Sequence, residues 1–358
     1  MRAWVEVATA AVVTNARRLA KRVAPARLCA VVKSNAYGHG LVPVSRALAA
    51  AGIESLRFGV FSPSEGLALR EAGIEKPILV LGPTDARSLP EAARRRLELA
   101  LFDDGDAEPF ARHRIAAHLK VETGTRRFGL ARAAALALIG RAHDLGLNVV
   151  GLYSHLANAE DLDESYTSRQ LDSLLAVAGP AGPIGLLHIA ASAAAIMWPQ
   201  TRLDMVRCGI ALYGAWPSTH VRDFMAKTEP QFELTPALRW FAPIVQVKDV
   251  PAGEPVGYGC SYVASRDSRI AVLPLGYADG LPRAAGNGKF SLHIFGGRAP
   301  IVGRICMNAC MADVTDIAPA PGRGDRAEVD VDEVAAAAGT INYEILAGLP
   351  QELERRYA

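Results

Sequence analysis

No stretch of this 358-residue sequence reaches the roughly 18–20 consecutive apolar residues that a membrane span requires. Net charge is almost lacking. The 39 basic and 37 acidic residues leave +2, which calls for neither nucleic acid nor an anionic membrane as partner. Cysteine is sparse and odd in number: Cys29, Cys208, Cys260, Cys306 and Cys310. A disulfide framework is not expected in so long a chain. Cys306 and Cys310 stand four apart, but no second Cys or His pair completes a tetrahedral site, so no metal is expected. A reducing cytoplasm is the simplest compartment. The beginning, MRAWVEVATAAVVTNARRLAKR, does not have the layout of a signal peptide. Glu6 interrupts the apolar run, and the basic residues follow it rather than lead it. Internal repeats and low-complexity tracts are also lacking.

What is present is core-forming material, with 50% hydrophobic and 21% charged residues. Thr9, Val12, Val13, Ala16, Leu19, Ala20 and Val23 have the spacing of a capped amphipathic helix. Eight apolar runs then follow: Leu28–Val32, Arg57–Val60, Pro77–Leu81, Glu98–Phe102, Ala116–Val121, Asn148–Tyr153, Gly185–Ile189 and Met205–Val206. Helical patterns such as Val42–Ala51, Pro63–Ala72, Arg132–Leu145 and Tyr166–Ala178 separate most of them. Strict alternation over residues 8–230 predicts an α/β fold, a (β/α)₈ TIM-like barrel. No G-x-G-x-x-G follows the first strand, which argues against an open doubly wound sheet. Beyond Pro230 the texture becomes strand-like, in Ala237–Val250, Arg269–Leu275, Lys289–Phe295 and Ala299–Cys306, with a helix near Val331–Ala338. Residues 231–358 therefore read as a mainly antiparallel β domain, to which the initial segment 1–7 would add a strand.

Barrel chemistry gathers where strands end. Lys33 in AVVKSNAYGHG follows a buried strand, where desolvation lowers an amine's pKa and makes it a nucleophile. A strand-end lysine that merely reaches solvent is the bland alternative. HLKVETGTRRFG places Lys120 on a strand and Arg127 in a glycine-flanked loop, suited to a carboxylate fork or else simply exposed. His155 follows the sixth strand, either against an aromatic ring or as a core histidine. In MVRCGIALYG, Arg207 ends the eighth strand, and Gly209-Ile210 offers N–H groups for a phosphate, as does Ser192 unless it only caps a helix. Tyr258 lies between two glycines in VGYGCSY, free to enter a cleft or to form a turn.

Taken together and in this order, VVKSNAYGHG, HLKVETGTRRFG, the Ser154-His155 pair, VRCGIALYG, GYGCSY, LPLGYADG, GRICMN and TINYE resemble the bacterial alanine racemases, over almost the whole chain. The resemblance implies a pyridoxal 5'-phosphate-dependent, fold-type III isomerase that racemises L-alanine for D-alanine and peptidoglycan supply. It implies that Lys33 carries the cofactor and moves a proton on one substrate face. Tyr258 would serve the other face from the second subunit of a cytoplasmic homodimer. By the same resemblance, Arg207 meets the pyridine nitrogen and Arg127 lies near the substrate carboxylate. His155 packs beside the ring. Tyr37, Ser192, Gly209 and Ile210 hold the phosphate, Lys120 matches a lysine often carbamylated, and the Met307 backbone meets the substrate carboxylate. Asn308 stands where the family commonly has Asp, Ala191 where it has Asn, and a tyrosine usual after TINYE is missing. These departures bear on substrate choice. A racemase of the same fold with broader taste, serine included, is the nearest alternative. A non-catalytic cofactor-binding barrel would lack Tyr258 and its domain.

Overall fold

In the computed structural model, which describes residues 2–358, eight short parallel strands form one sheet whose neighbours follow chain order. They are Arg27–Val31, Arg57–Val60, Ile78–Val80, Glu98–Leu101, Ala116–Lys120, Asn148–Tyr153, Leu186–His188 and Met205–Cys208. The eighth pairs with the first, Cys29 opposite Arg207. Between the seventh and eighth the ladder shrinks to an Ala191–Arg207 bridge, helped by the Asp204 N–H donating to the Leu187 carbonyl at 3.0 Å. The result is a nearly closed α/β barrel, as the alternation predicts. Its strands are buried almost throughout, as sheets covered by crossover helices must be.

Helix boundaries follow local chemistry. Ser62 caps Pro63–Glu71, accepting from the Glu65 N–H at 3.3 Å, while Glu65 accepts in return from the Ser62 N–H at 3.1 Å. Pro63 supplies a first-turn φ that needs no donor. Arg132–Leu145 ends at Gly146, which takes the left-handed conformation of a helix stop.

The chain divides into two compact units. One comprises Ala10–Ala36 and Leu41–Thr235, the barrel. The other comprises the segment ending at Thr9, the short Tyr37–Gly40 stretch, and Pro236–Ala358. In the latter, a nine-stranded sheet is mainly antiparallel. The initial strand Trp4–Val7 pairs antiparallel with Leu238–Pro243 and parallel with Glu354–Tyr357. Met1, the first residue of the expected added segment, lies outside the described residues. The core of this unit is built from alternate strand residues such as Val5, Trp240, Ala242, Leu273, Leu292 and Ile301, all fully buried. Among the described residues no helix is long and apolar enough to cross a membrane.

Candidate active site

The backbone after Lys33 departs from every ordinary element. Ser34, Asn35, Ala36 and Tyr37 all have φ between 50° and 54°, a left-handed run of four residues without glycine. Such conformations cost L-residues about 1–2 kcal/mol each and persist only where neighbours enforce them. Enforcement is visible. The Ser34 N–H donates to Glu65 Oε1 at 2.6 Å, and the Leu41 N–H donates to Asn35 Oδ1 at 2.8 Å. Glu65 therefore both boxes its own helix and tethers the turn that aims Lys33. The S-P-S-E pattern announces the helix start but not this second role.

The barrel rim collects the polar residues expected of it. Burial, then the nearby Arg127 charge, pulls the Lys33 amine below the usual lysine range, against the opposing pull of Glu65. Lys120 is lowered to about 8 by burial, then by Arg207 and Arg127. Its Nζ stands 5.4 Å from the Phe128 ring centre and 5.5 Å from that of Tyr153. Arg127 lies in the exposed loop beyond this strand. Gly129 there has φ +135°, and a Cβ would come within 2.7 Å of the Glu122 nitrogen, so only glycine lets the loop fold back on its strand. Thr125, in the same loop, donates to the His155 carbonyl at 2.5 Å.

Arg207 is buried, and all its partners accept. Nη1 donates to His188 Nδ1 at 2.6 Å. Nη2 donates to the Ser154 and Ile189 carbonyls at 2.8 and 3.0 Å and to His155 Nδ1 at 3.2 Å. A guanidinium cannot accept, so His155 receives on Nδ1 and carries its hydrogen on Nε2. Burial and the charges of Arg207, Arg127, Lys120 and Lys33 push His155 well below its usual range, so its ring is neutral. Ser192 accepts from the Gly209 N–H at 3.0 Å and the Ala211 N–H at 3.5 Å, which leaves its hydroxyl hydrogen to donate. Ile210 opens a 3₁₀ turn, whose first N–H groups have no acceptor within the turn.

Lys33, Lys120, Arg127, His155, Ser192, Arg207, Gly209 and Ile210 thus all belong to the barrel unit. Tyr37, Tyr258 and Met307 belong to the other unit. There Tyr37 lies 6.2 Å from the Tyr343 ring. Tyr258 is 71% exposed, between Gly257 and Gly259. Met307 is also exposed, its carbonyl accepting from the Ala278 N–H at 2.9 Å. Glu65, Tyr153, His188, Glu98 and Arg57 are not evident as site residues from sequence. For the last four, a polar residue within an otherwise apolar strand is the available sign, whereas Glu65 lies in a helix.

The donor set fits a planar, anionic aldehyde cofactor. Four cationic side chains face few acids, Ser192 has a hydroxyl hydrogen to give, and the buried Tyr153 hydroxyl has no hydrogen-bond partner. Comparison with known proteins agrees. The family models described as alanine racemase N-terminal domain and C-terminal domain match residues 7–217 and 237–357. An alanine racemase from Desulforamulus reducens is 38% identical, covering 99% of this chain and 98% of that protein. The alanine racemase from the D-cycloserine producer Streptomyces lavendulae superposes with a TM-score of 0.91 at 33% identity, over 100% of this chain and 97% of its own. The Bartonella henselae alanine racemase, described with covalently bound pyridoxal phosphate, gives 0.90 at 30% identity, over 100% of both chains.

Proposed function

Since this chain belongs to the alanine racemase family of pyridoxal-phosphate-dependent isomerases, its reaction is the racemisation of alanine, and we propose that Lys33 and Tyr258 are the two residues that move the proton. The observation that carries this reading is the Lys33 amine, desolvated at the barrel rim and aimed by a strained, tethered turn. When bound, the cofactor supplies the electron sink that stabilises negative charge at the substrate Cα. The protein supplies two bases, one for each face, because inversion requires the proton to leave one side and return on the other. Tyr258 is the second base, its hydroxyl presented by a glycine-flanked turn to the active site of the partner in a homodimer.

Arg207 directs a donor at the pyridine nitrogen without surrendering a proton, since a guanidinium stays charged. Ser192, Tyr37 and the N–H groups of Gly209 and Ile210 hold the phosphate. His155 packs beside the ring. Arg127 and the Met307 backbone bind the substrate carboxylate. Residues 8–230 accordingly hold the cofactor, and 231–358 contribute Tyr258 and Met307. We assign the protein a cytoplasmic role in D-alanine supply for peptidoglycan. The direct test is a chirality-resolved assay of purified protein against a panel of L-amino acids. Alanine is expected to be racemised fastest, with serine next. Equal or faster turnover of a larger amino acid would overturn alanine as the substrate.

Lys120 supports a further expectation. With its amine lowered to about 8, the neutral form that adds to carbon dioxide gains as pH rises through that value and is lost below it. The amine nitrogen bonds to the carbon, one proton leaves to solvent, and a carbamate anion then sits beside Arg127. Protein equilibrated with ¹³C-bicarbonate should show a carbamate resonance that grows across this range and is missing in Lys120→Arg. A resonance that survives the substitution assigns the modification elsewhere.

A further inference from the structure

Beneath the rim, a line of polar side chains descends through the barrel interior. Arg207 Nη1 donates to His188 Nδ1 at 2.6 Å. His188 Nε2 lies 3.0 Å from His118 Nδ1, and His118 Nε2 lies 3.0 Å from Glu98 Oε2. Arg57 is ion-paired to that same carboxylate oxygen. The two ends of the line set the direction of its hydrogen bonds. Arg207 can only donate, so His188 accepts on Nδ1 and carries hydrogen on Nε2. Ionised Glu98 can only accept, so His118 carries hydrogen on Nε2 and accepts on Nδ1 from His188. Burial is the leading influence that keeps both imidazoles below the usual histidine range, His188 well below it, so both are neutral as this order requires. Burial alone would raise the Glu98 carboxyl, but the hydrogen bond from His118 and the hydrogen bond and charge of Arg57 outweigh it and hold it low.

The surroundings keep this line in place. Tyr153 stacks flat on His188, with ring centres 4.7 Å apart and 10° between planes. Gly151 sits opposite His118 just after a register shift in the ladder, and a Cβ there would lie 2.2 Å from His118 Nδ1. Any larger residue would displace the imidazole. Among the described residues no carboxylate lies within ion-pair distance of Arg207. Its first acid is reached only through the two histidines. Glu98 opens the fourth strand and lines a cavity of about 650 Å³ at the opposite end of the barrel, beside Arg27, Arg57 and Asp204, where the Arg57 ion pair offsets what burial costs the carboxylate.

We propose that Glu98 is a positioning residue for racemisation. By accepting from His118 it fixes which nitrogen of that ring carries hydrogen, and through the His118–His188 contact it holds the Arg207 donors in one arrangement. This rests on the reading of Arg207 as the partner of the cofactor's ring nitrogen. The test combines ¹⁵N-histidine NMR of the holoenzyme with kinetics of two variants. In the native protein, His118 and His188 should both appear as neutral rings with hydrogen on Nε2 alone near neutral pH. In Glu98→Leu the acceptor is gone. The His118 Nε2–H is left without its acceptor, so its signal should lose that single pattern, and kcat should fall about tenfold while KM for alanine stays within about twofold. Glu98→Gln keeps an acceptor oxygen and should restore the tautomers and most of kcat.

A native spectrum with either ring charged, or with hydrogen on Nδ1, overturns the proposal even if Glu98→Leu does not fold. So does a Glu98→Leu enzyme with native histidine signals, whatever its rate. Arg207→Glu separates this inference from the reading beneath it. If that variant does not raise the fraction of turnovers ending in transamination, Arg207 loses its ring-nitrogen role, while the histidine pattern of the native protein still stands.

Discussion

Lys33→Ala is expected to lower alanine racemisation by about three orders of magnitude or more, the range associated with removing a positioned acid–base group, with loss of covalent attachment added. The argument begins with the amine's surroundings. Burial is the largest influence on it, the Arg127 charge adds to the same direction, and Glu65 opposes both weakly enough that the amine stays below the usual range. The neutral fraction therefore becomes appreciable at a lower pH than for an exposed lysine, and it increases as pH rises through the lowered value. Only that neutral form has the lone pair needed to bond a carbonyl carbon or to take a proton. Lys120 is the other rim lysine, but its neighbours are Arg207 and the Phe128 and Tyr153 rings, and it lacks a strained turn to aim it. Borohydride treatment of native holoenzyme should leave pyridoxyl mass on the peptide carrying Lys33. Initial rates by chiral chromatography should show the loss in Lys33→Ala. Label on the Lys120 peptide in native protein would reverse the assignment.

The barrel was legible because its strands are buried on both faces and so read as unbroken apolar runs. Arg57–Val60, Asn148–Tyr153 and the helix Arg132–Leu145 were placed to the residue. The β unit was harder. Ala237–Val250 reads as one strand-like segment but divides into Leu238–Pro243 and Gln246–Val250, which pair in different ladders. Pro243 has no N–H to continue the first. Glu354–Tyr357, in ELERRYA, shows no apolar alternation. It is an edge strand whose charges suit an exposed position, and only its parallel pairing with Trp4–Val7 reveals it.

In the site, residue identity was readable but conformation was not. Nothing in K-S-N-A-Y signals four left-handed residues, because the hydrogen bonds that enforce them come from Glu65 and Leu41. His118 stands two residues before Lys120 with no sign of its own role, and His188 falls inside a strand-like run. The line joining them appears only when four strands are closed into a barrel.

A mixture of Lys33→Ala and Tyr258→Phe proteins, each nearly inactive alone, is expected to recover racemisation once subunits exchange. The two residues lie in different units of the chain. Tyr258 is 71% exposed on a turn in which Gly257 and Gly259 have φ of +78° and +68°. A large, amphipathic side chain held outward in this way gains most from a surface on another subunit. In a twofold dimer each active site would then take Lys33 from one protomer and Tyr258 from its partner. A heterodimer of the two variants places both defects in one site and leaves the other intact. Random exchange of equal amounts makes half the dimers hybrid, each with one working site of two, so recovery should approach about one quarter of native activity. Exchange is followed independently by native mass spectrometry of differently tagged protomers. If hybrids form and activity stays at the level of the parents, Lys33 and Tyr258 serve the same site from within one chain. Single-site chemistry without Tyr258 predicts a different pattern again, since Tyr258→Phe alone would then remain active and no mixing experiment would be needed to restore it.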